Sequence, residues 1–332
     1  MLRRLGAAVL ATALVLACAA CGSNRQSTLS PGSRASREIE NLWWAILTGS
    51  GIVFAIVILL LLVAIFRRRA ASAGQRSERR AKTLVLVGGL LLPLIALPAL
   101  FGFSLSTLPA TNAPKSARAA LTVDVTGHQW FWSVRYPGTD AVTANEIHIP
   151  VGETVRVRVA TTDVIHSFWV PELNRKIDTI PGRDNAEFLR ADRPGVYRGQ
   201  CAEFCGLQHA HMAFLVYADP PQRFRAWLAN MANPRRAPAG SRAREGERVF
   251  LGSGCGGCHT IRGTAADGKL GPDLTHLATR SSIASVTLPN TKGYLAGWVL
   301  DPQHAKPGNK MPGFNLAGPD LQALVDYLTS LK

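Results

Sequence analysis

A short stretch of the chain concentrates side chains that bind soft metals. Between residues 201 and 212 lie two cysteines, a histidine and a methionine, in the order Cys201, Cys205, His209 and Met212. Thiolate, imidazole and thioether groups favour copper over hard cations. Zinc also binds cysteine and histidine, but its structural sites usually combine two short ligand pairs and do not use methionine. The stretch therefore predicts a copper site, with a plain Cys201–Cys205 disulfide as the alternative.

A further ligand for such a site has to come from another part of the fold. His166, in the segment 163–168, is the best-placed candidate on a neighbouring loop. His128, His148 and His211 are expected to be structural or surface residues. Of these three, His211 is close enough in sequence to the cysteines to compete as a ligand.

Cys255, Cys258 and His259 form a second chemical motif, Cys-x-x-Cys-His. In this motif the two thiols attach a haem covalently and the histidine binds the iron. A zinc knuckle or a redox-active dithiol also uses Cys-x-x-Cys, but the adjoining histidine disfavours both. Met311 is the candidate for the second axial ligand, and methionine opposite histidine raises the iron potential and suits an electron carrier.

The surroundings of this motif fit a small helical domain. Gly271-Pro272-Asp273-Leu274 is similar to the loop that supports the ligating histidine in c-type cytochromes. A C-terminal helix is predicted from apolar residues at helical spacing, namely Leu321, Leu324, Val325, Leu328 and Leu331. His276 and His304 are expected at the surface, and either could bind the iron if Met311 does not.

Two apolar segments near the N-terminus are long enough to cross a membrane. Residues 42–66 and 83–108 contain no charged side chain, and a hydrocarbon core of about 30 Å needs roughly 20 residues. The segment between them, 67–82, is rich in arginine and lysine, which predicts a cytoplasmic loop. Residues 40–110 are therefore predicted to form a transmembrane hairpin, with the rest of the chain outside the cytoplasm.

The N-terminal residues and the net charge have a similar explanation. Residues 1–21 are predicted to be an export signal, with Arg3-Arg4 before an apolar stretch. Small residues before Cys21 resemble a bacterial lipoprotein processing site, so lipidation and plain signal cleavage both stay open. The formal charge of +15 is explained by the basic loop, and nucleic acid is not expected as a partner.

The exported part divides into two domains by composition. Residues 117–231 contain short alternating segments separated by Pro-Gly turns, which predicts a β-sandwich or barrel. Residues 232–243 are polar, contain proline and show no apolar period, so they are predicted to be a linker. Residues 244–332 then form the haem-binding domain.

Together these segments resemble subunit II of a cytochrome c oxidase of the caa type, in which a dicopper (CuA) domain is fused to a c-type cytochrome. Residues 201–212 match the family motif Cys-x-Glu-x-Cys-x-x-x-His-x-x-Met at every ligand position, and residues 163–168 and 127–132 are similar to two further signatures. The resemblance implies a multidomain membrane protein. Its parts would be a two-helix transmembrane hairpin, a cupredoxin-like Greek-key β-barrel and an all-α class I cytochrome c domain.

The resemblance also implies a role for each matching residue. The copper pair would be held by His166, Cys201, Cys205, His209, Met212 and the backbone carbonyl of Glu203, with the two cysteines bridging. The haem c would be attached at Cys255 and Cys258 and ligated by His259 and Met311. The Glu203 side chain would reach a magnesium ion at the interface with subunit I. Trp130 matches the aromatic through which electrons enter, a core or interfacial tryptophan being the alternative.

The implied function is electron relay. The chain would accept electrons through its fused haem and pass them by the dicopper centre to the haem centres of subunit I, where oxygen is reduced to water. It would have no catalytic residue of its own. The implied partners are subunits I and III, a c-type cytochrome or cytochrome bc complex as donor, and the lipid of a bacterial plasma membrane. A CuA-containing nitric oxide reductase subunit and a membrane-tethered copper-delivery protein are the alternatives.

One position departs from the family pattern. Family members often carry a glutamate at the start of the second membrane helix, where this chain has Arg80-Ala81-Lys82-Thr83. The nearest acidic residue is Glu78. A contribution of this subunit to proton uptake is therefore not implied.

Overall fold

The computed structural model describes residues 26–66, 75–112 and 119–332. The predicted export signal, including Cys21, lies outside these residues, as do residues 67–74 of the predicted cytoplasmic loop.

Two long apolar helices form the N-terminal part. Helix α1 spans Arg34–Phe66, and the second consists of α2 (Gln75–Leu86), a π-helical turn (Val87–Leu91) and α3 (Leu92–Thr111). Both are long and apolar enough to cross a membrane, and their most apolar stretches are not buried inside the protein. Helix α1 packs on α3. The prediction of two apolar N-terminal helices is confirmed.

The second helix extends beyond the apolar segment from which it was predicted. Residues 75–82, expected in the connecting loop, are helical. Arginine, lysine, glutamate and alanine favour helix, and Glu78 pairs with Lys82 one turn on at 2.8 Å. The π-helical turn lies just before Pro93, which has no backbone N–H to donate to the preceding turn.

The central domain is a sandwich of two five-stranded sheets. Its strands are β1 (Leu121–His128), β2 (Phe131–Arg135), β3 (Val142–Ala144), β4 (Glu146–Pro150), β5 (Val155–Thr161), β6 (His166–Trp169), β7 (Ile177–Thr179), β8 (Asn185–Leu189), β9 (Gly195–Cys201) and β10 (Ala213–Asp219). The sheet orders are β3-β2-β1-β5-β8 and β4-β10-β9-β6-β7. Helix α4 (Pro221–Ala232) follows β10. This confirms the predicted cupredoxin-like β-fold.

The core between the sheets includes an aromatic cluster beside the predicted copper ligands. Trp132 is fully buried, and its ring packs edge-on against Phe168 and Phe214, with centroids 5.8 and 5.5 Å away. Its ring also lies 5.8 Å from the imidazole of His166. Gly199 of β9 leaves room for the Phe214 ring, which a Cβ there would overlap. These aromatic contacts fix the ends of β6, β9 and β10 relative to one another.

The C-terminal domain is helical and has a core of its own. It contains α5 (Ser241–Gly252), the hairpin β11 (Ser282–Ile283) and β12 (Leu288–Pro289), and helices α6 (Lys292–Leu300), α7 (Pro302–Ala305) and α8 (Gly318–Leu328). Helix α5 packs on α8, with Gly246 against the backbone of Ala323. The predicted helical cytochrome c fold is confirmed. Helix α5 starts at Ser241, inside the segment predicted as linker.

His276 differs from its prediction. It was expected at the surface but is only 1% exposed, and its Nε2 donates a hydrogen bond to the Asn233 carbonyl at 2.9 Å. His304, at the end of α7, is exposed as expected. The sequence around His276 has no apolar period that would have indicated burial. The side chain is buried because residues of the predicted linker cover it.

Candidate metal and haem sites

The predicted copper ligands lie together at one end of three adjacent strands. His166 begins β6, Cys201 ends β9, and Met212 directly precedes β10. Cys205 and His209 lie in the loop that joins β9 to β10. Because β6 pairs with β9 and β9 with β10, the strand order brings these side chains to one place.

Each of the two cysteine sulfurs has an imidazole beside it. The Sγ atoms of Cys201 and Cys205 are 3.7 Å apart, and both thiols are free. His166 Nδ1 lies 3.9 Å from the Cys201 sulfur, and His209 Nδ1 lies 3.6 Å from the Cys205 sulfur. Two sulfurs with one nitrogen on each side suit two metal ions that share both thiolates.

Weaker ligands and burial complete the donor set. Met212 Sδ lies 3.8 Å from the Cys205 sulfur, and the Glu203 carbonyl oxygen lies 3.2 Å from the Cys201 sulfur. His166, Cys201, Cys205 and Met212 are all at most 3% exposed. Among the described residues, His166, Cys201 and Cys205 also form the group whose ligand atoms lie within 4.8 Å of one another. A buried set of soft donors fits copper ions shielded from water.

The two thiols hold their protons unequally. A hydrogen bond from the Cys205 thiol lowers the pKa of Cys201 to about 3, with a further contribution from His166. The same contact raises the pKa of Cys205 above its usual range, and burial adds to this effect. One proton therefore leaves more easily than the other, and nearby positive charge favours loss of the second. Bound cations supply such charge.

Asp163 fixes the orientation of His166. The imidazole Nε2 donates a hydrogen bond to Asp163 Oδ1 at 2.8 Å, which leaves Nδ1 directed at the sulfur. The backbone N–H groups of Gln129 and Val164 also donate to the Asp163 carboxylate. Burial opposes ionisation, but the His166 and backbone hydrogen bonds hold the pKa of Asp163 below its usual value. No motif in the sequence predicts this role of Asp163, although it lies three residues before a candidate ligand.

Replacing Asp163 by asparagine is expected to weaken copper binding by about 10–100-fold, because the carboxylate that orients His166 and raises its basicity is lost. The measurement is a competitive titration of the full chain against a copper chelator. Asp124→Asn is the matched control, since Asp124 pairs with Arg158 on an exposed part of the same domain. Equal copper affinities in the two variants would contradict the role given to Asp163.

Trp130 lies in the turn between β1 and β2 and contacts the loop that carries Cys205 and His209. Its indole N–H donates to the Cys205 carbonyl at 3.0 Å, and the Gln129 side-chain amide donates to the same oxygen at 2.9 Å. Gly206 has a φ of +111°, and a Cβ there would lie 3.0 Å from the Trp130 ring. Glycine is favoured at position 206 because it adopts a positive φ without strain and because it lets the Trp130 ring approach the loop closely.

Glu203 presents its backbone and its side chain in different directions. The carbonyl faces the Cys201 sulfur, whereas the side chain is 46% exposed and lies 3.9 Å from the Lys176 ammonium. The carboxylate is thus available to a group outside this chain.

The other histidines of the β-domain bond elsewhere. Both ring nitrogens of His128 meet hydroxyl groups, those of Ser133 and Thr162. His148 Nδ1 bonds to the Asp219 carboxylate at 2.6 Å. The exposed His211 bonds through Nδ1 to the side chain of its neighbour Gln208.

The Cys-x-x-Cys-His motif forms a tight turn that exposes its reactive groups. Cys255 is half-buried, Cys258 is exposed, and the His259 N–H donates to the Cys255 carbonyl at 3.0 Å. His259 Nδ1 donates to the Pro272 carbonyl at 2.8 Å, which leaves Nε2 as the free ligand atom. Burial lowers the pKa of His259, so the ring stays neutral, as an iron ligand must be. The predicted supporting loop around Pro272 therefore contacts the histidine.

Apolar surface beside the motif fits a flat, apolar cofactor. Leu270 is 79% exposed, and the adjoining Gly271 lies against the His259 ring. Leu270 therefore offers apolar surface beside His259, which a bound haem would cover. Met311 is half-buried, and its loop is held by hydrogen bonds from its own N–H to Asn309 and from Gln303 to its carbonyl. Axial ligation by Met311 stays a prediction.

Comparison with known proteins gives consistent matches. A family model of the periplasmic domain of cytochrome c oxidase subunit II matches residues 140–218, and a model of cytochrome c matches residues 243–332. Cytochrome c oxidase subunit 2 of Alkalihalophilus pseudofirmus is 38% identical over 244 residues, which are 73% of this chain and 70% of the relative. The corresponding protein of Bacillus sp. strain PS3 is 34% identical over 256 residues, 73% of this chain and 71% of the relative.

A solved structure that matches part of this chain is the periplasmic domain of subunit II of cytochrome oxidase from Bradyrhizobium japonicum. Its sequence is 34% identical to this one. The match covers 35% of this chain and 95% of the solved chain, with a TM-score of 0.34.

Proposed function

Since the chain belongs to the cytochrome c oxidase subunit II family and carries a cytochrome c domain, we propose that it relays electrons from a donor outside the cytoplasm to the haem centres of subunit I. As a subunit of that oxidase it is a component of an oxidoreductase complex. The haem c and the CuA copper pair implied by its two domains supply one-electron redox chemistry when bound.

The observation that carries this proposal is the buried pair of sulfurs with an imidazole beside each. His166, Cys201, Cys205, His209 and Met212, with the Glu203 carbonyl, would hold the copper pair. Their positions are set by three paired strands and by the aromatic core around Trp132. A rigid frame of this kind keeps the ligands in place when the charge of the metals changes, which suits electron transfer.

Cys255, Cys258, His259 and Met311 would hold the haem. The Pro272 carbonyl keeps His259 in the tautomer that leaves Nε2 free, and Gly271 keeps the ring in place. Because the haem domain is part of the same chain, its effective concentration at the copper domain replaces diffusional encounter.

Trp130 would connect the two sites. Its indole N–H bonds to the carbonyl of Cys205, and its own carbonyl accepts a hydrogen bond from Ser285 of the cytochrome domain at 2.7 Å. These contacts form a short route from one domain to the other, which supports the role of Trp130 as the aromatic through which electrons enter.

The outward Glu203 carboxylate would face subunit I. Its exposure and its position directly beside the copper ligands support the proposal that it shares a magnesium ion with that subunit. The donor, whether a c-type cytochrome or a cytochrome bc complex, and subunit III complete the proposed partners. The β-domain and the cytochrome domain would both lie outside the cytoplasm.

The burial of the ligands argues against the copper-delivery alternative. A delivery protein needs a site from which copper exchanges readily, whereas the four most buried ligands here are at most 3% exposed. A nitric oxide reductase would differ in its catalytic subunit, and the substrate reduced by the purified complex distinguishes the two enzymes.

The proposal is tested on the purified oxidase that contains the full chain. We expect the EPR spectrum of a mixed-valence copper pair together with a low-spin c-type haem, and oxidation of the haem by the copper pair after flash reduction. In Trp130→Phe the transfer should slow, because the phenyl ring lacks the N–H that bonds to the Cys205 carbonyl.

Trp227→Phe is the control, since Trp227 stacks on His148 away from the copper ligands. Absence of the dicopper signal in the wild type would overturn the proposed function. Equal transfer rates in the two variants, with intact copper spectra, would overturn only the role of Trp130.

A further inference from the structure

The cytochrome domain packs directly on the loop of copper ligands. Lys306, just after α7, donates hydrogen bonds from its ammonium to the backbone carbonyls of Trp130 and His211, at 3.1 and 2.9 Å. In the opposite direction, the Gln208 side-chain amide donates to the Pro307 carbonyl at 2.7 Å. A short segment of the cytochrome domain thus bonds to the ligand loop at Gln208 and His211, and to the turn that carries Trp130.

The burial of Lys306 makes this contact specific. The residue is only 3% exposed, and burial lowers its pKa to about 8. Burying an ammonium is strongly unfavourable unless hydrogen-bond acceptors replace its water. The acceptors are carbonyls of the other domain, and they meet Lys306 only in this arrangement. A shifted arrangement would leave the ammonium buried and unpaired, and is therefore disfavoured.

A second donor reaches the same carbonyl from the hairpin of β11 and β12. At its tip Ala284, Ser285 and Val286 all have positive φ values, of 54°, 57° and 65°. Such values are unfavourable for a β-branched residue such as valine and persist only where the surroundings impose them. Ser285 is 2% exposed and donates from Oγ to the Trp130 carbonyl.

Contacts farther from the copper ligands support the same arrangement. The buried Glu146 carboxylate of β4 accepts hydrogen bonds from the backbone N–H and the hydroxyl of Ser281, at 2.8 and 2.9 Å. Arg262 donates to the carbonyls of Asp140 and Ala232, at 2.7 and 3.1 Å. The two domains therefore meet along a broad surface, of which Lys306 and Ser285 form the end nearest the copper ligands.

We infer that Lys306 and Ser285 form a docking latch, which holds the fused cytochrome domain in one fixed position over Trp130 and the copper-ligand loop. The inference deepens the proposed function and rests on it for its consequence. With the latch closed, transfer between the two sites does not wait for domain motion. Since the latch occupies the Trp130 carbonyl, a soluble donor cannot bind the copper domain through that group.

Hydrogen exchange of the purified oxidase tests the latch directly. In Lys306→Met, which keeps the length but removes the donors, amides in residues 128–132, 205–213 and 302–310 should exchange about 10–100-fold faster, the loss expected for hydrogen bonds from a charged donor. Ser285→Ala should show a smaller increase in the same segments. Lys292→Met is the matched control, because Lys292 is exposed and pairs with Asp326 within its own domain.

The rate of haem oxidation after flash reduction gives a second readout. In the wild type it should be independent of solvent viscosity, and in Lys306→Met it should fall as viscosity rises, with unchanged haem and copper spectra. Exchange and viscosity dependence equal to those of Lys292→Met would overturn the latch. Wild-type oxidase without any haem-to-copper transfer would instead overturn the proposed function, and the exchange data would still decide whether the domains are latched.

Discussion

Cys205→Ser is expected to abolish the copper pair and, with it, oxidase activity. The Cys205 sulfur lies within 3.8 Å of the Cys201 sulfur, His209 Nδ1 and Met212 Sδ, so its loss removes the atom that connects the other ligands. A serine hydroxyl is a harder and weaker ligand for copper than a thiolate. The measurement is the copper content of the purified oxidase together with the EPR spectrum of the mixed-valence pair.

The control for Cys205→Ser is a buried substitution away from the ligands. Met231 is 1% exposed and belongs to the same core, and Met231→Leu conserves volume, with an expected effect on stability below about 1.5 kcal/mol. It should keep the full copper spectrum, and the c-type haem spectrum should persist in both variants. A Cys205→Ser oxidase that retains a normal dicopper spectrum would disprove the ligand assignment.

Gly271→Ala is expected to remove most of the haem spectrum or to shift it to that of an altered iron ligation. A Cβ at this position would lie 2.7 Å from His259 Nδ1, closer than real contacts allow, and would push the ring off the Pro272 carbonyl. The ring would then no longer be fixed in the tautomer that leaves Nε2 free, and Nε2 would no longer be directed towards the iron. The measurement is the pyridine haemochrome content together with the absorption spectrum of the reduced protein.

Gly293→Ala is the matched control in the same domain. Gly293 lies in α6, where a Cβ would meet no atom within 4 Å, and alanine stabilises a helix relative to glycine by about 1 kcal/mol. Haem content should therefore be normal or slightly higher. A Gly271→Ala protein with wild-type haem content and spectrum would show that His259 is not held where the iron needs it.

Much of the architecture could be predicted from the sequence because it depends on local patterns. The apolar length of residues 42–66 and 83–108 predicted two membrane-spanning helices, and the structure has a long apolar helix over each segment. The alternating segments of residues 117–231 predicted short strands, and in β5 Val155, Val157 and Val159 are buried while the arginines between them are exposed. Helix ends were predicted less well, since charged residues such as Glu78 and Lys82 continue a helix beyond its apolar part.

Residues that act through long-range contacts escaped prediction. Lys306 has no motif around it, and its burial depends on two carbonyls from the other domain. His276 was expected at the surface for the same reason, since the Asn233 carbonyl that pairs with it lies 43 residues earlier in the chain. Neither contact leaves a local pattern, because the interacting groups are backbone atoms that every residue carries.

The sequence by itself determined which atoms are available for chemistry. Cys201, Cys205 and Met212 are close in the chain, and so are Cys255 and His259, so covalent geometry alone keeps each group within reach of one metal site. Tertiary structure decided the rest. Pairing of β6 with β9 brings His166 to the sulfurs, the Asp163 carboxylate orients its ring, and packing of the two domains covers Trp130. Such contacts depend on strand order and on burial, which involve residues far apart in the chain.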